Sequence, residues 1–199
     1  MAHAFLVIDV QNDFCPGGAL AVPEGDAVVA PINALQVTAG LVVLTQDWHP
    51  PDHQSFAVNH AGAAPYDVVA MPYGPQVLWP AHCVQGTPGA AFHPALDTTR
   101  AALVVRKGMH AAIDSYSAFF ENDRVTPTGL HGFLRERGVT DVTVAGLALD
   151  YCVAYSAEDA ARLGYRVQVR RSACRAIDLR GSLAEALARL QACGVTVGD

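Results

Sequence analysis

The sequence is poor in charge, and the charge it has is not basic. Only 16% of its 199 residues are Asp, Glu, Lys or Arg, and the formal net charge is -6. A nucleic-acid binder needs a basic footprint to neutralise phosphates, so no nucleic-acid partner is expected. No apolar run reaches the roughly 18 residues of a membrane span, so no membrane partner is expected either. The opening Met1-Ala2-His3-Ala4 carries no basic stretch before the first strand-like run. It does not read as a signal peptide, and the expected location is cytoplasmic. Cysteine is scarce and odd in number: Cys15, Cys83, Cys152, Cys174 and Cys193, with no C-x-x-C pair. That argues against a disulfide framework and a four-cysteine zinc site. The ordinary role of each thiol is that of a small buried apolar group. Repeats, linkers and low-complexity tracts are absent as well.

What the chain has in quantity is apolar side chain, 51% of its residues. That suffices for the core of one α/β domain over residues 1–199. β-Branched runs at Phe5–Val10, Leu41–Asp47, Ala102–Lys107, Val142–Leu147, Arg166–Val169 and Val195–Val197 read as strands buried on both faces. Helical stretches are predicted between them at 27–38, 128–137, 151–163 and 181–193; Gly138, Gly164 and Gly194 act as stops. The alternation predicts a Rossmann-like, doubly wound parallel sheet of about six strands. One stretch interrupts it. Trp48 to Pro94 holds eight of the twelve prolines and five of the eight histidines. It is predicted to be a long insertion with little regular structure, stiffened by proline and carrying function.

In an open α/β sheet, ligands bind at the carboxyl ends of the strands. Asp9, Asp47 and Lys107 end the first three predicted strands, and Cys152 opens the helix after the fourth. A thiol at a helix N-terminus beside a lysine is expected to have a lowered pKa. Asp9 could take its proton and later deliver it to a leaving amine. On spacing alone the same residues also describe an Asp9–Lys107 ion pair with Cys152 as packing. Asp47 and His49 alternate about Trp48 in an extended segment, so their side chains point the same way. With further imidazoles they suit Zn²⁺, Fe²⁺ or Mn²⁺. Spacing alone equally allows surface histidines in a polar loop. His3, His93, His110 and His131 are assigned no ligand role.

Six motifs bear on the choice: IDVQNDFCPGGALAV (8–22), TQDWHPPDHQSFA (45–57), WPAHCVQGTPGA (79–90), KGMH (107–110), DSYSAF (114–119) and GLALDYCV (146–153). Together and in this order they resemble the nicotinamidase, or pyrazinamidase, group of the isochorismatase-like cysteine hydrolases. The resemblance spans residues 5 to about 175. It implies a catalytic triad of Asp9, Lys107 and Cys152. It implies one divalent metal ion, Zn²⁺ or Fe²⁺ with Mn²⁺ as an alternative, held by Asp47, His49 and His82. His53 matches a family histidine that ligates the metal in some members and not in others. Phe14 and Trp79 match residues that sandwich a pyridine ring. Leu147-Ala148 matches a cis peptide next to the substrate, and the amides of Ala148 and Cys152 match an oxyanion hole. The implied substrate is nicotinamide, split to nicotinic acid and ammonia through a cysteine thioester, by a monomer or a homo-oligomer.

Three rivals fit parts of this pattern. Relatives acting on carbamoyl or ureido compounds share the triad but generally lack the metal cluster. A zinc hydratase or hydrolase would use metal-bound water as nucleophile and would survive loss of Cys152. A non-catalytic protein that senses a nucleotide fragment would have no use for an acid, a base and a nucleophile together.

Overall fold

The first strand, β1 (Ala2–Ile8), shows why the sheet forms. From Ala4 to Ile8 every side chain is buried, so both faces of the strand need cover. A computed structural model, which describes residues 2–199, supplies it; the expected domain start at Met1 lies outside the described residues. After β1 come α1 (Val29–Thr38), β2 (Val42–Asp47), β3 (Val68–Met71), β4 (Gly74–Val77), β5 (Ala101–Lys107) and α2 (Leu130–Glu136). Then follow β6 (Val139–Gly146), α3 (Ala154–Arg162), β7 (Arg166–Cys174), α4 (Ser182–Ala192) and β8 (Thr196–Gly198).

Six of the strands form one parallel sheet in the order β5-β2-β1-β6-β7-β8. Val7 pairs with Leu44 on one side and Ala145 on the other. The chain winds outward from β1 to β2 and β5, then returns across β1 to β6 and winds the other way. Right-handed crossovers therefore put α1 on one face and α2, α3 and α4 on the opposite face. The reversal lies between β1 and β6, where a doubly wound sheet opens a crevice at its carboxyl edge. Gly146 belongs to that crevice: at φ +126° it lies so close to β1 that an added Cβ would sit 2.1 Å from the Ile8 carbonyl oxygen.

Two expectations need correction, and one gains detail. The proline-rich segment has little regular structure, as expected. It contains the antiparallel hairpin β3–β4, with Val68 opposite Val77, and short 3-10 turns at Ala57–Asn59 and Pro88–Ala90. Pro72 in its turn and Pro75 in its second strand masked it; a two-stranded ribbon has only edges, which tolerate proline. β7 runs on to Cys174 rather than ending at Val169, because after a shift in register Cys174 pairs with Gly146. The polar Arg170-Arg171-Ser172 hid that continuation. The helix expected at 151–163 begins as a π-helical turn, Leu149–Val153, before α3 takes over. No helix among the described residues is long and apolar enough to cross a membrane.

Candidate active site

Each triad candidate stands at the carboxyl edge of the sheet. Asp9 follows the end of β1 in a left-handed conformation (φ 47°), which turns its carboxylate into the crevice. Thr45 on β2 fixes it: the Thr45 hydroxyl donates to Asp9 Oδ1 at 2.6 Å and accepts from the Asp9 N–H at 3.1 Å. Asp9 Oδ2 faces Lys107 Nζ at 2.9 Å, which meets its charge. Lys107, the last residue of β5, is 2% exposed. Its ammonium also donates to Asp47 Oδ1, to the Ser115 carbonyl at 2.7 Å and towards Cys152 Sγ at 3.5 Å. Cys152 lies in the π-helical turn. Ser156 holds that turn, donating to the Cys152 carbonyl at 2.6 Å while accepting from the Ala118 N–H at 2.8 Å. The Leu147–Ala148 peptide just before the turn is cis.

The electrostatics depart from one expectation. The Cys152 thiol is not lowered. Burial raises it well above the ordinary range, Lys107 offsets only part of this, and Asp9 and Asp47 push it further up. In this state the sulfur holds its proton. Asp9 is the group brought near neutrality: burial raises its carboxyl to about 6 against the pull of Lys107. Asp47, also buried, stays below the usual carboxylate range because Lys107 and His49 favour its charge. Burial opposes the Lys107 charge, but Asp47 and Asp9 more than restore it and hold the ammonium well above its ordinary value.

The second cluster adjoins the first through Asp47. Its carboxylate oxygens, His49 and His82 offer ligand atoms within 4.8 Å of one another, all buried. His49 Nε2 lies 3.6 Å from Asp47 Oδ2. His49 Nδ1 donates to the Gly108 carbonyl at 2.9 Å, and His82 Nδ1 to the Pro80 carbonyl at 2.8 Å. Those bonds leave both Nε2 lone pairs for a cation, the usual arrangement behind a metal-bound imidazole. Gly108 is required here: at φ +64° it lets the His49 ring lie so close that an added Cβ would meet Cε1 at 2.3 Å. Gln11 fixes the other ligand, accepting from the Asp47 N–H and donating to the Asp47 carbonyl, both at 2.8 Å. Burial and the neighbouring His49 pull His82 down to about 4, so it is neutral and able to ligate.

His53 is brought beside this cluster but not into it. Its ring centroid lies 4.3 Å from that of His49. Its nitrogens face Ser55 Oγ at 2.7 Å and the Ile113 carbonyl at 3.3 Å. It groups instead with His49 and Asp114. The histidines given no ligand role lie elsewhere: His3 bonds Thr143, His110 bonds Glu121, His131 bonds Tyr165, and His93 accepts from the Ala95 N–H.

The two clusters open into one cavity. Phe14 and Trp79 line it together with Asp47, His82, Ala148 and Cys152. Sequence reasoning missed Leu20, Asp114, Tyr116, Tyr151 and Ile177, which line it as well. Tyr116 accepts from Trp79 Nε1 at 3.1 Å, and Tyr151 stands edge-on to Trp79 with ring centroids 4.9 Å apart. Asp150 holds the Ile177 loop, accepting from the Ile177 N–H at 3.0 Å and the Asp178 N–H at 2.8 Å. Tyr116 and Asp114 belong to the DSYSAF motif, which was recognisable without revealing what these side chains do. A wider open groove along the outer edge of β5, lined by Leu103, Val104, Met109 and Phe133, contains none of these groups.

Comparison with known proteins agrees with this geometry. A nicotinamidase of Acinetobacter baylyi is 54% identical over 192 residues, covering 96% of this chain and 90% of that protein. The structure of an Acinetobacter baumanii nicotinamidase/pyrazinamidase superposes with a TM-score of 0.98 at 51% identity, covering 99% of this chain and 95% of that one. A pyrazinamidase of Pyrococcus horikoshii in complex with zinc superposes with a TM-score of 0.79 at 34% identity, covering 99% of this chain and 98% of that one. The isochorismatase domain profile matches residues 3–199. The chain belongs to the isochorismatase family.

Proposed function

We propose that this chain is an amidohydrolase that converts nicotinamide, and pyrazinamide, to the ring carboxylic acid and ammonia through a thioester on Cys152. The observation that carries the reading is the cavity itself. The Cys152 thiol lines it with two aromatic walls, Asp47 and His82, while the Asp9 carboxylate and the Lys107 ammonium lie behind the thiol and His49 completes the buried Asp–His–His cluster.

The ring enters between Phe14 and Trp79. Asp9, poised near neutrality, takes the Cys152 proton, and the Lys107 ammonium offsets the charge left on sulfur. The thiolate attacks the carboxamide carbon. The resulting oxyanion faces the amides of Ala148 and Cys152, each worth about 3 kcal/mol in sites of this kind. As the C–N bond breaks, Asp9 delivers its proton to the leaving nitrogen and ammonia departs. A water then gives a proton to Asp9 and attacks the thioester; the acid leaves and Cys152 recovers its proton from Asp9.

Asp47, His49 and His82 fit one divalent metal ion, Zn²⁺, Fe²⁺ or Mn²⁺, since a carboxylate oxygen and two imidazole nitrogens converge within 4.8 Å of one another, all buried. Bound there, the ion would supply a Lewis acid for the ring nitrogen. His53 is outside this set. A cytoplasmic location suits the five free thiols, and the site is built from one chain, whether monomer or homo-oligomer.

The test is ammonia release from nicotinamide, pyrazinamide and benzamide by the metal-loaded protein. Nicotinamide and pyrazinamide should be hydrolysed. Benzamide lacks the ring nitrogen and should be poorer by up to about 10⁴-fold in kcat/KM. No ammonia from nicotinamide would overturn the reading. Benzamide within about threefold of nicotinamide would make the protein a general aromatic amidase.

A further inference from the structure

Asp114 is a buried carboxylate for which the proposed reaction has no use. It is 3% exposed and lines the cavity. Its partners are neutral donors: Gln76 Nε2 to Oδ2 at 2.9 Å and the Ser115 N–H to Oδ1 at 2.8 Å. No lysine or arginine among the described residues pairs with it. It does lie beside the imidazole cluster, offering an oxygen within 4.8 Å of ligand atoms of both His49 and His53.

An unpaired buried carboxylate is costly, and proteins retain one only against a compensating charge. Three carboxylates are buried in and beside the cavity, Asp9, Asp47 and Asp114, with one buried ammonium, Lys107. One ammonium does not match all three. Lys107 already serves Asp9 and Asp47, and it reaches only the neighbouring Ser115 carbonyl, not the Asp114 side chain.

We propose that Asp114 is a positioning residue for the metal ion, the outer anion that with Asp47 sets the site to a double positive charge. The inference rests on the metal reading of the Asp47–His49–His82 cluster. Asp114 adds a buried negative charge that Lys107 does not reach, and it stands within 4.8 Å of ligand atoms of both His49 and His53. Carboxylates behind metal-ligating histidines contribute to affinity even when they touch no metal.

The experiment is zinc titration against a chromophoric chelator, with circular dichroism and thermal melts of the zinc-free proteins alongside. Four chains are compared: wild type, Asp114→Asn, Gln76→Met and His82→Ala. Asp114→Asn keeps the shape and removes the charge; Gln76→Met keeps the charge and removes its neutral hydrogen bond. The expected result is a zinc affinity about 10- to 100-fold weaker in Asp114→Asn with the fold intact. Gln76→Met should stay within about threefold of wild type. Equal losses in the two variants would show that Asp114 only braces its loop and would overturn the inference. So would unchanged affinity in Asp114→Asn, while His82→Ala loses zinc and the metal reading stands. A wild-type chain that takes up no zinc would overturn both. If Asp114→Asn fails to fold, Gln76→Met decides: the inference requires it to bind zinc normally.

Discussion

The cavity has two corners that solve the same electrostatic problem differently. At the nucleophile corner the compensating cation is part of the chain: Lys107 stands between Asp9 and Asp47. At the histidine corner the candidate ligands are two imidazoles and the second oxygen of Asp47, with Asp114 nearby. One corner is assembled from strand ends on a rigid parallel sheet. The other joins Asp47, held by Gln11, to a proline-rich segment whose His49 is oriented by Gly108 and whose His82 is oriented by Pro80. On the proposed reaction, the covalent step has a fixed charge of the chain's own, whereas the position of the substrate is left to an exchangeable ion. Asp47 belongs to both corners and is the group through which either would sense the other.

Removing the sulfur breaks the nucleophile corner alone. Cys152→Ala should lower kcat for nicotinamide by at least about 10⁴-fold. Zinc content and the melting curve should stay near wild type. Activity above about a tenth of wild type would mean that a metal-bound water, not the thiol, attacks.

Lys107→Met takes the built-in cation away and leaves two buried carboxylates facing each other. A loss of about 3–5 kcal/mol in unfolding free energy is expected by urea denaturation near neutral pH, the range seen when one partner of a buried pair is deleted. The same substitution in a zinc-saturated sample should cost less if the two corners share charge through Asp47. An identical cost with and without zinc would show them to be independent.

The carboxyl edge of the sheet was legible in the sequence because strand periodicity fixes where strands end, and Asp9, Asp47 and Lys107 stand at those ends. The proline and histidine bias of residues 48–94 marked the second corner. Asp114, Tyr116 and Ile177 were not legible. They reach the cavity from turns, whose direction is set by distant contacts: the Asn122 N–H on the Asp114 carbonyl at 2.7 Å, and Asp150 on the Ile177 loop. The state of Cys152 was misjudged because position in a helix was weighed without burial. A thiol enclosed beside two carboxylates keeps its proton despite a nearby ammonium.

The pH profile follows from Asp9. Burial raises its carboxyl to about 6, and the proposed reaction begins with the deprotonated form. As pH falls below that value Asp9 gains a proton and activity is lost; as pH rises through it activity climbs to a plateau. The acid limb of kcat/KM should therefore bend near pH 6 with a slope of one, about tenfold per pH unit. A limb flat down to pH 4 would remove Asp9 as the base.

The smallest effect is at the wall between the corners. Trp79→Phe retains an aromatic face and removes the donor to Tyr116. A stability loss of about 0.5–1.5 kcal/mol is expected in denaturant titration. KM for nicotinamide should rise only a few-fold with kcat nearly unchanged, and a larger fall in kcat would place the indole in the chemistry rather than in the wall.

Gly108 has the widest reach for its size. It follows the lysine of one corner and carries the carbonyl that orients a histidine of the other, in a backbone shape and clearance that exclude any side chain. A saturation screen that scores loss of function would therefore find this position as intolerant as the reacting residues. Sorting the losses by zinc content would separate them: substitutions at Cys152 keep the ion, whereas substitutions at Gly108 release it by turning His49 away. A glycine with no reactive atom would then read out as a metal-site residue, one that a search restricted to polar side chains passes over.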